Sequence, residues 1–298
     1  MHKSVLLHEV IAGLMPKDGD IFVDGTLGSA GHSLEFCRRS GPQTTIVGID
    51  RDDAALGRAK AVLNECKERV IITKGNFRYI DEILDRYNIK KADKILFDLG
   101  LSSDQLEESG RGFSFLKDEP LLMTFEAESL PDATTAWDVV NSWDEENIAD
   151  IIYYLGDERY ARRIASGIVR SRSVKSIETT GELSQIIKDA TPRAYARGKI
   201  HPATKTFQAI RMAVNDEIGA LKEGLKRAFG VLSVGGRLAV ISFHSGEDRI
   251  VKIFFKEKEK DGVAIIHTKK PIVPTKEEMR ENPRSRSAKL RIIEKRHE

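Results

Sequence analysis

The clearest chemical pattern in this chain is an acid followed by three evenly spaced glycines near the N-terminus. The apolar run 21–23 ends in Asp24, and Gly25, Gly28 and Gly31 follow before a helical pattern begins. A strand, a tight glycine-rich turn and a helix N-terminus together bring a nucleotide-like ligand against bare backbone. The spacing G-x-x-G-x-x-G differs from the G-x-G-x-x-G that holds a dinucleotide pyrophosphate. An acid just before the glycines suits a cationic ligand, so the pattern favours S-adenosylmethionine over NAD, with a purely structural turn as the alternative.

Two further acids end apolar runs. Asp50 ends the run 45–49, a little over twenty residues beyond the turn, where doubly wound folds place an acid that accepts hydrogen bonds from ribose hydroxyls. Asp98 ends the run 95–97. Open α/β sheets bind ligands at the carboxyl ends of their strands, so we expect Asp24, Asp50 and Asp98 to face one crevice. The alternative is that each acid only caps its own loop.

The periodicity of the sequence predicts the elements that position these acids. Strand-like runs occur at 21–24, 45–50, 70–73, 95–98, 237–243, 263–267 and 290–294. The first four alternate with helical patterns at 33–39, 53–68 and 79–86, which predicts a parallel sheet. Between about 103 and 214 only helical patterns occur, at 134–140, 144–155, 158–171, 181–189 and 204–214. We therefore expect one α/β domain that is interrupted by a mostly helical insertion.

Composition limits the class of protein. The 298 residues are 40% hydrophobic and 32% charged, which is typical of a soluble protein with an apolar core. No apolar run is long enough for a secretory signal or a membrane span, so the cytoplasm is the expected location. Cys37 and Cys66 both fall in helical patterns and are too few for a disulfide framework or a zinc site. No metal is expected.

The small net charge of +2 conceals a separation of charge along the chain. Fourteen acids lie between Asp98 and Asp150 against two bases, whereas twelve bases lie between Arg159 and Arg211 against three acids. The tail 280–296 is basic again. Such a stretch favours a surface that binds a polyanion, with a solvated or self-neutralised face as the alternative.

Ten ordered blocks carry a resemblance to a known family, and they span nearly the whole chain. They are SVLL (4–7), VDGTLG (23–28), GHS (31–33), GIDRD (48–52), DLG (98–100), RGFSF (111–115), HPATKTFQA (201–209), VNDE (214–217), ISFHS (241–245) and NPRSRSAKLR (282–291). On these blocks the sequence resembles the bacterial 16S ribosomal RNA cytosine-N4 methyltransferases, the MraW family.

The resemblance implies an α/β fold in which a Rossmann-like S-adenosylmethionine-dependent methyltransferase domain (1–112 and 215–298) is interrupted by a helical RNA-recognition insertion (113–214). It implies methyl transfer to the N4 amine of a cytidine in the decoding region of 16S ribosomal RNA. In the family this target is cytidine 1402. The expected partner is 16S ribosomal RNA within the small ribosomal subunit, and binding to DNA or to a membrane is not expected. Whether the protein forms a homodimer stays open. The expected cofactor-binding residues are Asp24, Gly25, Gly28, Ala30, Gly31, His32, Asp50, Phe77, Asp98 and Gln105.

Two segments depart from the family pattern. The segment 118–126 lacks an acid and a base that the family usually has, so no role is assigned to it. The turn has Ser29 and Ala30 where glycines are usual, a change that is tolerable if both φ angles are negative.

The expected chemistry is direct in-line transfer. The N4 amine of cytosine is a poor nucleophile, so the site must align it and accept an N–H hydrogen bond. A route through carbon 5 needs a cysteine thiolate, and neither cysteine ends a strand. The catalytic candidates are Asp98, Ser242 and His244, although His244 is also typical of a structural hydrogen-bonding residue. Phe243 is a candidate to stack on the base, with a place in the core as the alternative.

The basic stretch predicts how RNA is held. Arg159, Arg162, Arg163 and Arg170 share a helical spacing opposite an apolar stripe, so we expect phosphate contacts that do not read the base sequence. Two other classes of function stay open at this point. An NAD-dependent oxidoreductase is opposed by the glycine spacing, and a non-catalytic ribosome-assembly factor that binds RNA is opposed by the intact strand-end acids.

Overall fold

The computed structural model describes residues 3–66, 69–126, 133–196, 198 and 200–298. Its strands are β1 (Ile21–Asp24), β2 (Thr45–Asp50), β3 (Arg69–Lys74), β4 (Ala92–Asp98), β5 (Leu232–Ser242), β6 (Ala264–Ile266) and β7 (Lys289–Lys295). Within the described residues these seven strands form one sheet in the order β3-β2-β1-β4-β5-β7-β6. Strands β1 to β5 are parallel, and β7 is antiparallel to both β5 and β6. The predicted α/β fold is confirmed.

The strand order defines where a ligand can bind. From β1 the chain adds β2 and β3 on one side, and it then returns to add β4 and β5 on the other side. Such a reversal opens a crevice at the carboxyl ends of the two strands that flank it, here β1 and β4. Asp24 is the last residue of β1 and Asp98 is the last residue of β4, so both acids lie at this crevice.

The helices alternate with the strands in the N-terminal part of the chain, and in its middle one helix follows another. They are α1 (Leu7–Leu14), α2 (Gly31–Arg39), α3 (Asp53–Leu63), α4 (Ile80–Arg86), α5 (Ser103–Glu107), α6 (Ala136–Ser142), α7 (Glu145–Tyr154), α8 (Ala161–Arg172), α9 (Thr180–Ala190), α10 (Arg193–Ala196), α11 (Ala203–Val214), α12 (Glu217–Val231), α13 (Ser245–Lys260) and α14 (Lys276–Glu281). The chain divides into two compact units, Met1–Gly100 with Ile218–Glu298 and Leu101–Glu217.

The sheet of the first unit is covered on both faces. In β4, Ile95 and Phe97 pack with residues of α4, α12 and α13, whereas Leu96 between them packs with residues of α1, α2 and α3. This alternation follows from the period of two in a strand. Parallel sheets are stable only when helices cover both faces, which explains why these strands are almost uniformly apolar.

The second unit has its own apolar core, formed mainly by α6, α7, α8, α9 and α11. Helix α8 shows the predicted amphipathic pattern, because Ile164 and Ile168 are fully buried while Arg162 and Arg170 are exposed. Among the described residues of this unit, the β-type pairing is a single isolated bridge between Pro120 and Thr179. No helix in the described part of the chain is long and apolar enough to cross a membrane.

The cysteines differ from the sequence prediction. Helix α3 ends at Leu63 rather than at 68, so Cys66 lies outside the helix, and the prediction of a helical position for it is wrong. Its backbone N–H donates to Leu63 O in a turn. Cys66 is joined to Cys37 of α2 in a disulfide with a Cα–Cα distance of 6.2 Å. No pattern in the sequence predicts this pair, because the two residues come together only when α2 and α3 pack against the same sheet face.

Candidate active site

The carboxyl edge of the sheet brings the predicted acids together. Asp24, Asp50 and Asp98 end β1, β2 and β4, which are adjacent parallel strands. Ser242 ends β5, the next parallel strand. The topology therefore brings the three acids to the same edge of the sheet, and their part in binding a ligand stays a prediction.

The turn after β1 is tied to the strands on both sides. The N–H of Gly25 donates to Leu96 O at 2.9 Å, and the N–H of Gly28 donates to Asp50 Oδ2 at 2.8 Å. Gly28 has φ +50°, which a residue without a Cβ adopts at no steric cost. The backbone of the turn is thereby fixed before any ligand arrives.

Ala30 departs from the condition set by the sequence. Its φ is +60°, whereas Ser29 is not among the described residues with positive φ. The condition of a negative φ is therefore not met at Ala30. A left-handed conformation costs about 1–2 kcal/mol for a residue with a Cβ. Ala30 is fully buried and its N–H donates to Leu27 O at 2.7 Å, so the surrounding packing holds this conformation at the N-cap of α2.

The next two residues of the turn contact the N-terminal segment. A Cβ on Gly31 would stand 2.1 Å from Ser4 Oγ, so a side chain at this position would require Ser4 to move. The ring of His32 is buried, and its Nε2 lies 3.0 Å from Val5 O. The N-terminal segment therefore packs against one side of the turn after β1.

Asp24 is a buried carboxylate with two donors. Ser33 Oγ–H donates to Oδ2 at 2.7 Å, and the N–H of Thr26 donates to Oδ1 at 3.2 Å. Burial raises the pKa of Asp24 to about 6 in spite of these hydrogen bonds. Thr26 and Ser33 were not among the predicted site residues, although both fall within the family blocks.

Asp98 is the least satisfied acid of the site. Its Oδ1 is buried without a hydrogen-bond partner among the described residues, and its Oδ2 lies 3.7 Å from His32 Nδ1, beyond hydrogen-bond distance. Burial raises the pKa of Asp98 well above its usual range, and the negative charges of Asp24 and Glu247 raise it further. A buried acceptor without a donor indicates a place for a donor that the protein itself does not supply.

Asp50 already accepts several backbone hydrogen bonds. Oδ2 receives the N–H of Gly28, and Oδ1 receives the N–H of Asp52 at 2.9 Å. A carboxylate has about four acceptor positions, so capacity remains for a hydroxyl group of a ligand. Burial raises the pKa of Asp50, and hydrogen bonds from the backbone of Asp52, Gly28 and Arg51 oppose that shift.

An aromatic pair stands beside the acids. The rings of Phe77 and Phe97 are 4.6 Å apart between centroids. A Cβ on Gly25 would stand 2.5 Å from the Phe97 ring, and one on Gly224 would stand 2.5 Å from the Phe77 ring. The glycine at position 25 thus permits close aromatic packing, a reason that differs from the predicted contact with the cofactor.

The end of β5 is organised by a helix cap. His244 is the N-cap of α13, and its Nδ1 accepts the N–H of Glu247 at 3.3 Å. Glu247 Oε2 accepts the N–H of Phe243 at 2.9 Å, and Glu247 is 3% exposed. Ser242 is buried, with its Oγ 3.5 Å from Lys289 O. Glu247 was missed, although its position three residues after His244 is the spacing of a capping box.

Gln105 belongs to the second unit, where it serves a local role. Its Oε1 accepts the N–H of Ser102 at 3.0 Å, and its own N–H donates to Ser102 Oγ at 3.1 Å, so the pair caps α5. Its predicted contact with the cofactor stays a prediction.

The crevice suits a cationic ligand. Burial raises the pKa values of Asp24, Asp50 and Asp98, so a positive charge placed beside them would stabilise their ionised forms. A sulfonium and an ammonium group supply positive charge of the required sign. The residues present therefore fit S-adenosylmethionine. Among the described residues no cluster of histidine, cysteine, aspartate or glutamate could hold a metal ion.

Comparison with known proteins identifies the family of this chain. The chain matches the model of the MraW methylase family over residues 1–296. Ribosomal RNA small subunit methyltransferase H of Persephonella marina is 47% identical over 294 residues, with 99% of each chain covered. The protein of the same name from Brevibacillus brevis is 43% identical over 309 residues, with 99% of this chain and 98% of the relative covered.

Among solved structures, a SAM-dependent O-methyltransferase from Thermotoga maritima has 10% identity and a TM-score of 0.42, covering 98% of this chain and 64% of that one. The sequence relatives are similar over their full length, and the family match extends over nearly every residue. The chain belongs to the MraW methylase family, and S-adenosylmethionine is its methyl donor.

Proposed function

We propose that this protein methylates the N4 amine of a cytidine in the decoding region of 16S ribosomal RNA. The RNA class is supported by relatives named ribosomal RNA small subunit methyltransferase H, at 43–47% identity over nearly the whole chain. The single observation that supports an amine acceptor is the orphaned Oδ1 of Asp98 at the end of β4. An amino N–H is a donor of the kind that this oxygen lacks.

Asp98 is the proposed catalytic residue. The lone pair of the N4 amine is delocalised into the cytosine ring, so the nitrogen must pyramidalise before it can attack. An N–H···O hydrogen bond to Asp98 Oδ1 favours that change and also orients the lone pair. S-adenosylmethionine supplies an electrophilic methyl group when it is bound.

The transfer leaves one excess proton on the nitrogen. S-adenosylmethionine would supply the methyl group together with its own leaving group, so the protein has to remove only this proton. Asp98, whose pKa is raised well above its usual range, is suited to receive the departing N4 proton and to pass it to solvent.

The other predicted site residues have supporting parts in this proposal. Asp50 accepts the ribose hydroxyls, and Asp24 with the turn at Gly28 holds the charged end of the cofactor. Ser242 and His244 act as positioning residues, because Ser242 is buried and His244 caps α13. Phe243 lies against Gly100, where a Cβ would be 3.5 Å from its ring, and its half-buried ring offers a face for the base.

RNA is held in part by the basic face of α8, formed by Arg162, Arg163 and Arg170. These three side chains are exposed, and within the described residues none of them forms an ion pair with a carboxylate. Other basic residues of this stretch already have partners within the protein. Lys175 forms an ion pair with Glu182 at 2.7 Å, and Lys205 Nζ donates to the backbone oxygen of Asp157 at 2.6 Å. Arg197 and Lys199 lie outside the described residues. The assignment of residues 113–214 to RNA recognition rests on this face.

The experiment that tests the proposal is methylation in vitro of small subunits or of 16S ribosomal RNA that lack the modification. Digestion to nucleosides followed by mass spectrometry should show N4-methylcytidine. Methyl groups on carbon 5 or on ribose would contradict the amine acceptor. Calorimetry with S-adenosylmethionine, run in parallel, distinguishes this enzyme from a non-catalytic assembly factor. Such a factor would bind RNA without binding the cofactor.

A further inference from the structure

A pocket in the second unit has the composition of a nucleotide site. It has a volume of about 380 Å³ and lies between the end of α7 and the start of α8. Tyr153 and Tyr154 line it from α7, and Arg159, Arg162 and Arg163 line it from the other side, with Asp150 as its carboxylate. This volume is within the range of about 300–1,000 Å³ that is usual for small-ligand sites.

The tyrosine side of the pocket is unusually exposed. Tyr153 is 57% and Tyr154 is 74% exposed, and their rings stand 5.1 Å apart at an interplanar angle of 82°. Two adjacent large aromatic rings in water expose apolar area that most soluble proteins bury, which marks a surface for a partner. Their flat faces are open to stacking.

The arginine side is held in place by a buried network. Glu158 is fully buried, accepts the N–H of Tyr160 at 2.9 Å and accepts the hydroxyl of Tyr195. The rings of Tyr160 and Tyr195 are 5.0 Å apart, and the Arg159 guanidinium lies 4.8 Å and 5.2 Å from their centroids. The Arg159 side chain is therefore oriented before any ligand binds.

The positive charge of the pocket is not neutralised locally. In the described part of the chain, Arg159, Arg162 and Arg163 form no ion pair with a carboxylate. Asp150 can only accept hydrogen bonds, so it suits the hydroxyl or amino groups of a ligand and opposes a phosphate at its own position. The guanidinium groups attract phosphate on the opposite side.

We propose that this pocket binds one unpaired nucleotide of the RNA substrate, at a position other than the cytidine that is methylated. The base stacks on Tyr153 and Tyr154, and its phosphate contacts Arg162 and Arg163. Proteins commonly recognise RNA through such splayed bases on aromatic side chains. A duplex keeps its bases stacked inside the helix and cannot present one to the pocket. The proposal rests on the proposed function in one respect, namely that RNA is the substrate.

The test measures binding of a fluorescently labelled single-stranded RNA oligonucleotide and of the matching duplex by anisotropy at several salt concentrations. Stacking is worth about 1–3 kcal/mol per base, so Tyr154→Ala should weaken single-strand binding roughly 5- to 150-fold. Tyr154→Phe should restore most of this loss, because the ring remains. Leu116→Ala is the matched control, since Leu116 is 86% exposed in the same unit and outside the pocket.

The salt dependence separates the two halves of the pocket. Tyr154→Ala should leave the slope of log affinity against log salt unchanged, whereas Arg162→Ala should reduce its magnitude by about one. Duplex binding should change less than single-strand binding in the tyrosine variant. Single-strand affinity within twofold of wild type in Tyr154→Ala would overturn the pocket proposal, and so would an equal loss in Tyr154→Phe.

Failure of the proposed function has a different signature. If the wild-type protein binds S-adenosylmethionine but neither binds nor methylates RNA, the proposal that RNA is the substrate is wrong, and the pocket proposal fails with it. If the unmodified protein methylates RNA and Tyr154→Ala does so with the same KM, only the pocket proposal fails.

Discussion

Replacing Asp24 by asparagine should make the ligand-free protein more stable and should weaken cofactor binding. Asp24 is 1% exposed, and its burial raises its pKa from 3.8 to about 6. One pKa unit corresponds to about 1.4 kcal/mol, so the ionised carboxylate costs the folded state about 3 kcal/mol near neutral pH. An asparagine of the same shape removes that cost, and its amide oxygen can still accept from Ser33 or Thr26.

The pH dependence follows from the direction of the shift. Because the pKa of Asp24 is higher in the folded than in the unfolded state, the folded state binds more protons between about pH 4 and pH 6. The free energy of unfolding of the wild type therefore decreases as pH rises through this window and is level above it, as far as this residue is concerned. The advantage of Asp24→Asn should be up to about 3 kcal/mol at about pH 8 and about half of that at about pH 5.

Urea unfolding followed by circular dichroism, without ligand, measures this difference at both pH values. Asp144→Asn is the matched control, because Asp144 is exposed and its side chain makes no cap hydrogen bond. Calorimetry at about pH 8 should show S-adenosylmethionine binding to Asp24→Asn weakened by roughly tenfold or more, since a charge that faces the cationic ligand is lost. A stability difference that is equal at the two pH values, or a less stable variant at the higher one, would refute the assignment of a destabilising buried charge.

Three further changes test the remaining site. Asp50→Ala should weaken S-adenosylmethionine by about 2–4 kcal/mol in calorimetry, as charge-assisted hydrogen bonds to the ribose are lost; unchanged affinity in a folded variant would contradict this role. Asp98→Asn keeps the shape but removes the anionic acceptor, so the single-turnover methylation rate should fall more than tenfold. A rate within twofold of wild type would leave Asp98 a structural residue. Charge reversal at Arg162, Arg163 and Arg170 should raise the KM for RNA and flatten its salt dependence by roughly one unit of log–log slope per lost contact, with cofactor affinity unchanged. RNA binding that matches wild type in affinity and salt slope would move the RNA surface elsewhere, with the tail 284–291 as the next candidate.

Much of the sheet could be predicted because its strands are short, apolar and bounded by glycine or acids. The predicted runs 21–24 and 45–50 coincide with β1 and β2. Strand β5 begins at Leu232 rather than at the predicted residue 237. Its first half was not predicted because Gly235 and Gly236 interrupt the pattern of apolar residues there. Helices α12 and α13 were not predicted. The first contains Gly219, Gly224 and Gly230, and the second starts from a histidine cap that is less familiar than serine or aspartate.

The candidate site was predictable only as far as residue type and strand position reveal it. Asp24, Asp50 and Asp98 could be located because parallel strands bring their carboxyl ends to one edge of the sheet. The buried Glu247 and the left-handed Ala30 could not, since both depend on how α13 and α2 begin relative to the strands before them. The Cys37–Cys66 pair likewise depends on packing between helices that share no sequence signal.

The pairing of β4 with β5 has a consequence for how this protein is made. The two strands are neighbours in the sheet, yet the whole of Leu101–Glu217 lies between them in the chain. During synthesis β4 is therefore left as an open edge, and Ile95 and Phe97 lack their packing against α12 and α13, until β5 and these helices emerge from the ribosome. Closing so long a loop is entropically costly, and the cost is smaller when the intervening chain has already folded into its own compact unit. Early folding of the second unit thus shortens the time in which a half-built sheet is exposed to aggregation.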